Sequence, residues 1–209
     1  IEPDVVGTQA TSNSNTRNQL RTFQLFTTEN TLSPTNIQRL ENQQLVSSEI
    51  PNLFIISPKA FLQEANRLAD FRRINDKLSV EVISVEHIYN EYSGGMVDPT
   101  ALRNFIRETW KQSPENFKYV LFFGDATFDY KNKLNLAENG GKNSIPTYES
   151  RESLEPVYSH SSDDYFGFLE ENEGNWGEGI VRFGNLDDRT AEDHTLDIGV
   201  GRLPVRNAT

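Results

Sequence analysis

The residues of this chain best suited to chemistry are carboxylates. Asp125 follows the apolar run Tyr119-Val120-Leu121-Phe122-Phe123 and a glycine, with Asp129 four residues on. Asp163 and Asp164 are adjacent, while Asp193 and Asp197 flank His194-Thr195-Leu196. Side chains and carbonyls from such turns can converge on one hard cation, since calcium takes about six to eight oxygens and needs neither thiolate nor imidazole. The spacing is not that of an EF-hand loop, so the same acids suit turns and helix caps equally well. Between Asp163 and Asp197, eleven carboxylates stand against Arg182 and Arg189, a local net charge of −9 in a chain whose total is −11. Such a stretch repels nucleic acid and anionic membrane surfaces. It reads either as a solvated acidic surface or as a cation site.

Nucleophilic chemistry has little to work with. The chain has no cysteine, which excludes a disulfide framework, a thiolate zinc site and a cysteine nucleophile within these residues. His87, His160 and His194 each lack a second histidine at metal-ligand spacing and read as surface or structural residues. His160, set among Ser159, Ser161 and Ser162, is the best placed, but no Gly-x-Ser-x-Gly elbow accompanies it. Gly94-Gly95 and Gly199-x-Gly201 lack the lysine or third glycine of a phosphate loop. A phosphoacceptor role for Asp125 fails as well, because Ser57-Pro58-Lys59 stands where an acidic cluster would hold magnesium.

The elements that must position these groups follow a clear grammar from Leu53 onward. Leu53-Phe54-Ile55-Ile56 is a short apolar run of the kind buried on both faces of a sheet. Ser57-Pro58 predicts a helix start, with Ser57 as N-cap, and Phe61, Leu62, Ala65, Leu68 and Phe71 share one helical face. Leu78 to Ile83 predicts a second strand. Asp98-Pro99 starts another helix, which buries Leu102, Phe105, Ile106 and Trp110, and Tyr119–Phe123 is a third strand. Strand, helix, strand, helix, strand predicts an α/β fold: a parallel, doubly wound sheet with flanking helices. Ligands of such sheets sit beyond the carboxyl ends of the strands, where Asp125 stands. The later part predicts β-hairpins, with Asp164–Leu169 as one arm, a strand piece at residues 179–181, and a closing strand over Asp197–Pro204. Residues 1–52, polar apart from an alternating segment at residues 20–26, are expected to be a linker and the end of a preceding β-rich region. The chain as a whole reads as a piece of a larger protein. No apolar run approaches the roughly 20 residues of a membrane-spanning helix.

Several of these segments, in order, resemble the gingipain-type cysteine peptidase family. They are Leu53-Phe54-Ile55-Ile56-Ser57-Pro58, the helix through Ala69-Asp70-Phe71, Val85–Gly95, Pro99–Ile106, and Tyr119–Asp125. Ile145–Ser150, Ser162–Gly167 and Asp197–Val205 continue the likeness, which spans residues 53–209, and residues 38–46 are similar to the segment that precedes the peptidase domain. Within the family the combination is most similar to the cell-surface sortases of type IX secretion. The resemblance implies a caspase-like α/β fold in which this chain is the first subdomain. The catalytic histidine, in a His-Gly loop, and the cysteine would then lie in a second, caspase-like half. Neither motif occurs here, so no catalytic residue is expected in this chain.

The resemblance also implies a calcium site, with Asp125, the neighbourhood of Glu170, Asp193, Thr195 through its carbonyl, and Asp197 as ligands. Implied partners are the caspase-like half of the same protein, outer-membrane secretion components and protein substrates, with no nucleic acid. The implied location is the cell surface, at the outer membrane. Two other classes stay open: a non-catalytic adhesion module on the same scaffold, and an α/β domain binding an organic ligand at Asp125.

Overall fold

The computed structural model describes residues 4–6, 9–11, 22, 29, 31–34, 37, 39, 40, 42–45, 49–134, 144–150, 157, 159–171 and 195–207. The chain divides into two compact units, Ile1–Glu41 and Asn42–Thr209. In the first, β1 (Asp4–Val6) and β2 (Gln9–Thr11) pair antiparallel. Of the strand expected over residues 20–26 only Thr22 is described, outside any element, and the strand piece at 179–181 lies outside the described residues.

The second unit begins ahead of the first apolar strand. Leu45 and Ile50 pack on its core, and the Leu45 N–H donates to Glu91 Oε2 at 3.2 Å. Its elements run β3 (Leu53–Ser57), α1 (Leu62–Asn75), β4 (Val80–Ser84), α2 (Val85–Ser93), α3 (Pro99–Gln112) and β5 (Tyr119–Phe123). The short strands β6 (Asp125–Thr127), β7 (Ser144–Pro146), β8 (Tyr148–Glu149) and β9 (Ser161–Ser162) follow, and β10 (Gly199–Leu203) closes the sheet.

Four strands form one parallel sheet in the order β10-β5-β3-β4. All five residues of β3 are buried, as a central strand covered on both faces requires. Alternation sends Leu53 and Ile55 toward α1, into a cluster with Phe61, Ala65, Ala69, Val80 and Phe123. Phe54 and Ile56 point the other way, into the larger cluster built with α2 and α3. There Phe54 meets Phe105 and Phe117 edge-on, at centroid distances of 5.3 and 5.5 Å. The sheet is therefore doubly wound, and the caspase-like α/β expectation holds.

Local details depart from expectation in four places, the first being α2 itself, a helix over Val85–Ser93 that the strand-helix alternation did not predict. Ser57 does not cap a helix: its hydroxyl donates to the Pro58 carbonyl, and a 3-10 turn, Lys59–Phe61, precedes α1. The Lys59 N–H goes instead to the Glu86 carboxylate at the start of α2, 3.2 Å away, so the cap is tertiary. Phe71 stands 54% exposed on α1 while Ala69 is buried, because the sheet-facing stripe runs through Phe61, Ala65 and Ala69 and leaves Phe71 beyond its edge. Asp164–Phe166 is a 3-10 turn and not a hairpin arm. Phe166 drops from that turn onto Phe122 at 4.7 Å, and the antiparallel pairing falls just before it, between β8 and β9. By contrast Asp98 caps α3 as expected, accepting the Thr100 N–H at 2.8 Å with Pro99 in the first turn.

Candidate functional site

From β3 the chain crosses outward to β4, then returns to place β5 on the other side of β3. That reversal is the switch point at which doubly wound sheets bind ligands, beyond the carboxyl ends of the strands. The backbone leaves β5 through Gly124 into β6, which pairs in parallel with β7. The Asp125 N–H donates to the Val205 carbonyl at 3.0 Å, so the tail of β10 seals the same end.

The centre of this layer is Arg202. It stands in β10 opposite Phe122, with its side chain 9% exposed. Nε and Nη2 grip both carboxylate oxygens of Asp163 at 2.7 and 2.8 Å. Nη1 donates to the carbonyls of Gly124 and Ile145, each at 3.2 Å, and of Asp125 at 3.4 Å, and Nη2 reaches Pro146 O at 3.4 Å. Asp163 also accepts from Thr147 Oγ1 at 3.1 Å, and the guanidinium lies 4.9 Å from the Phe122 ring centroid. An ion pair this far from water holds only when its remaining polar atoms are satisfied, and here the backbone satisfies them. Tyr89 lies in the same region: it is 5% exposed, and its hydroxyl has no hydrogen-bond partner among the described residues. Burial, and secondarily Glu86, pushes that phenol far above its ordinary range, against a smaller opposing effect of Arg202.

The expected metal ligands do not all meet. Asp125 lies at the carboxyl end, its Oδ2 accepting from Arg206 Nε at 2.5 Å and its Oδ1 from the Ala126 N–H at 3.0 Å. Asp197 lies at the opposite end, ahead of β10, where its Oδ2 accepts the Leu169 N–H at 2.7 Å and its own N–H donates to Gly167 O. Register pairs Gly199 with Tyr119 and Leu203 with Phe123, so at about 3.3 Å per residue those paired strands alone separate the two ends by about 13 Å. Ligands of one calcium ion lie only about 2.3–2.6 Å from it. Asp125 therefore cannot share an ion with Asp197, which corrects the single five-residue set. Glu170 and Thr195 are on Asp197's side, next to Leu169 and two residues before Asp197. Asp193 lies outside the described residues. At this amino end, Arg103 donates to Phe168 O at 2.6 and 3.1 Å and Arg107 to Leu169 O at 2.8 Å, which pins the turn to α3. Among the described residues no cluster of three or more His, Cys, Asp or Glu is arranged to hold a metal.

Other candidates resolve into structure. Asp129 accepts the N–H groups of Lys133 and Leu134, both at 2.8 Å, and closes its own turn. His160 is exposed, its N–H donating to Ser150 Oγ at 3.2 Å, and the hydroxyls of Ser159 and Ser161 donate to Glu149. His87 is half-buried in the first turn of α2, and His194 lies outside the described residues. Reading the sequence for catalysts missed Arg202 and Asp163 as the organising pair. The available signal was a charge inside an otherwise apolar strand, Gly199-Val200-Gly201-Arg202-Leu203.

Residues 46–209 match the model of Peptidase family C25. Among solved structures the chain is similar to dimeric latent PorU from Porphyromonas gingivalis, with 32% sequence identity and a TM-score of 0.53. That similarity covers 76% of this chain and 14% of the PorU chain. No match is found among curated proteins.

Proposed function

The chain belongs to peptidase family C25, and from that premise we propose that it is the first, non-nucleophilic α/β subdomain of a PorU-like cysteine endopeptidase. The observation that carries this reading is the likeness to PorU over 76% of the chain, joined to the complete lack of cysteine in the same residues. A family defined by a thiol nucleophile then needs that thiol elsewhere in the protein. There a thiolate attacks a cargo peptide carbonyl and the amine of the downstream segment leaves. The resulting thioester is resolved by water or by a second amine, the latter outcome being that of a sortase. The bond cut lies ahead of a C-terminal sorting signal on type IX secretion cargo, at the cell surface.

In this scheme the segment supplies the doubly wound sheet and the carboxyl-end layer against which the caspase-like half packs. Calcium belongs to the proposal in reduced form, held by Glu170, Thr195 and Asp197 with Asp193, and without Asp125. No helix among the described residues is long and apolar enough to cross a membrane; association with outer-membrane secretion components belongs to the proposal for the whole protein.

An acyloxymethyl ketone carrying a peptide, which alkylates the nucleophile of a cysteine peptidase, tests the assignment in the full-length protein. The expected result is one label, mapped by peptide mass to a cysteine outside residues 1–209. A label within residues 1–209, or cargo cleavage with no labelled cysteine, contradicts it. Absence of both label and cleavage favours an adhesion module on the same scaffold.

A further inference from the structure

The contacts of Arg202 reach further than the anchoring of one edge strand requires. The guanidinium binds carbonyls 78 and 77 residues earlier in the chain at the β5–β6 link, and 57 and 56 residues earlier in β7. Its carboxylate partner is 39 residues earlier, just ahead of the 3-10 turn. All of these groups lie in the layer beyond the carboxyl ends of β3 and β5. A planar fork of donors suits this task, since it fixes several acceptors relative to one another as well as to itself. Lysine, with three donors on one compact ammonium, can pair with Asp163 but cannot span the same carbonyls.

We infer that Arg202 is a positioning residue of the peptidase: paired with Asp163, it sets the Gly124–Asp125 link and β7 at the face of the sheet where the rest of the enzyme presents its substrate. This rests on the cysteine-peptidase reading above. The face is singled out because the strand order reverses there, and ligands of such sheets lie beyond that reversal. Arg202 acts through backbone and touches no reacting atom. Its effect is geometric, and a misplacement of about 1 Å at a distance from the chemistry can cost roughly 10²-fold in rate.

The test uses the full-length enzyme and compares Arg202→Lys with Arg73→Lys. Arg73 also clamps a strand carbonyl, that of Val80, but at the amino end of β4. Cleavage of a cargo peptide is measured as kcat per titratable active-site thiol, so that loss of folded protein does not count as loss of rate. The expected result is a fall of about tenfold or more for Arg202→Lys, within the range that misplacement produces, with Arg73→Lys at the wild-type value. Equal kcat per thiol in the two variants overturns the inference, even if Arg202→Lys melts earlier. Should Arg202→Lys give no folded protein, Asp163→Asn, which leaves the carbonyl contacts in place and weakens the pair, is judged by the same two outcomes. Wild-type protein with no thiol-dependent cleavage overturns the peptidase reading itself, a result distinct from an active wild type with an unaffected variant.

Discussion

Glu81 stands half-buried on β4, and burial raises its pKa more than the nearby Arg73 lowers it. The folded protein thus holds this proton more tightly than the unfolded chain does. Stability from this group is fully present below the unfolded pKa, about 4.3 for glutamate, and is lost as pH rises through the higher folded pKa. Glu81→Gln is therefore expected to raise the melting temperature at pH 7, with the gain vanishing below about pH 4; equal gains at both pH values contradict the sign. Tyr92 behaves alike among phenols, pushed up to about 12 chiefly by burial and then by Glu91 and Glu108. At this scale the sequence revealed residue types but not partners. A charge in the strand Gly199–Leu203 was visible, whereas Asp163 as its mate was not, because only the fold brings residues 39 apart together.

Caps and turns show which parts of an element are local. Asp98 bonds a backbone N–H two residues on, so α3 was legible as far as its first turn, and Asp98→Ala should cost about 1 kcal/mol in urea unfolding. Ser57→Ala should cost less, since its hydroxyl caps nothing in α1; equal costs would contradict the tertiary cap by Glu86. Ser57-Pro58 carried the same local signal as Asp98-Pro99 and misled because the competing carboxylate comes from a distant helix. The turn after β9 was illegible for a related reason, Phe166 being drawn into the core by Phe122. Gly167 marks how tightly that turn sits: a Cβ there would lie 2.8 Å from both Leu196 Cδ2 and Val200 Cγ2, and 3.2 Å from Ile198 O. Gly167→Ala should destabilise by about 1–3 kcal/mol, as overpacking does, and a neutral effect in the same unfolding assay would show that β10 and this turn are not in close contact.

Over the whole molecule, three strands with intervening helices predicted a parallel sheet, and that much followed from periodicity and length; the fourth strand was expected only as a closing strand, and its place beside β5 came from the fold. Parallelism carried a further consequence that could have been drawn from the sequence: a residue just after one strand and a residue just before its parallel neighbour lie at opposite ends. Asp125 and Asp197 are such a pair. The calcium proposal then makes a divided prediction for the full-length protein. Calcium should raise the melting temperature relative to excess chelator; Asp197→Asn should shrink that difference and Asp125→Asn should leave it unchanged. A midpoint indifferent to calcium in the wild type contradicts the site. The central claim, that this segment is the scaffold half of a cysteine peptidase, is tested most directly by incubating the full-length protein with a cargo bearing its C-terminal sorting domain, before and after treatment with iodoacetamide, and weighing the products by mass spectrometry. The account predicts release of the sorting domain at one bond, abolished by alkylation; release that survives alkylation, or an intact cargo in both samples, would contradict it.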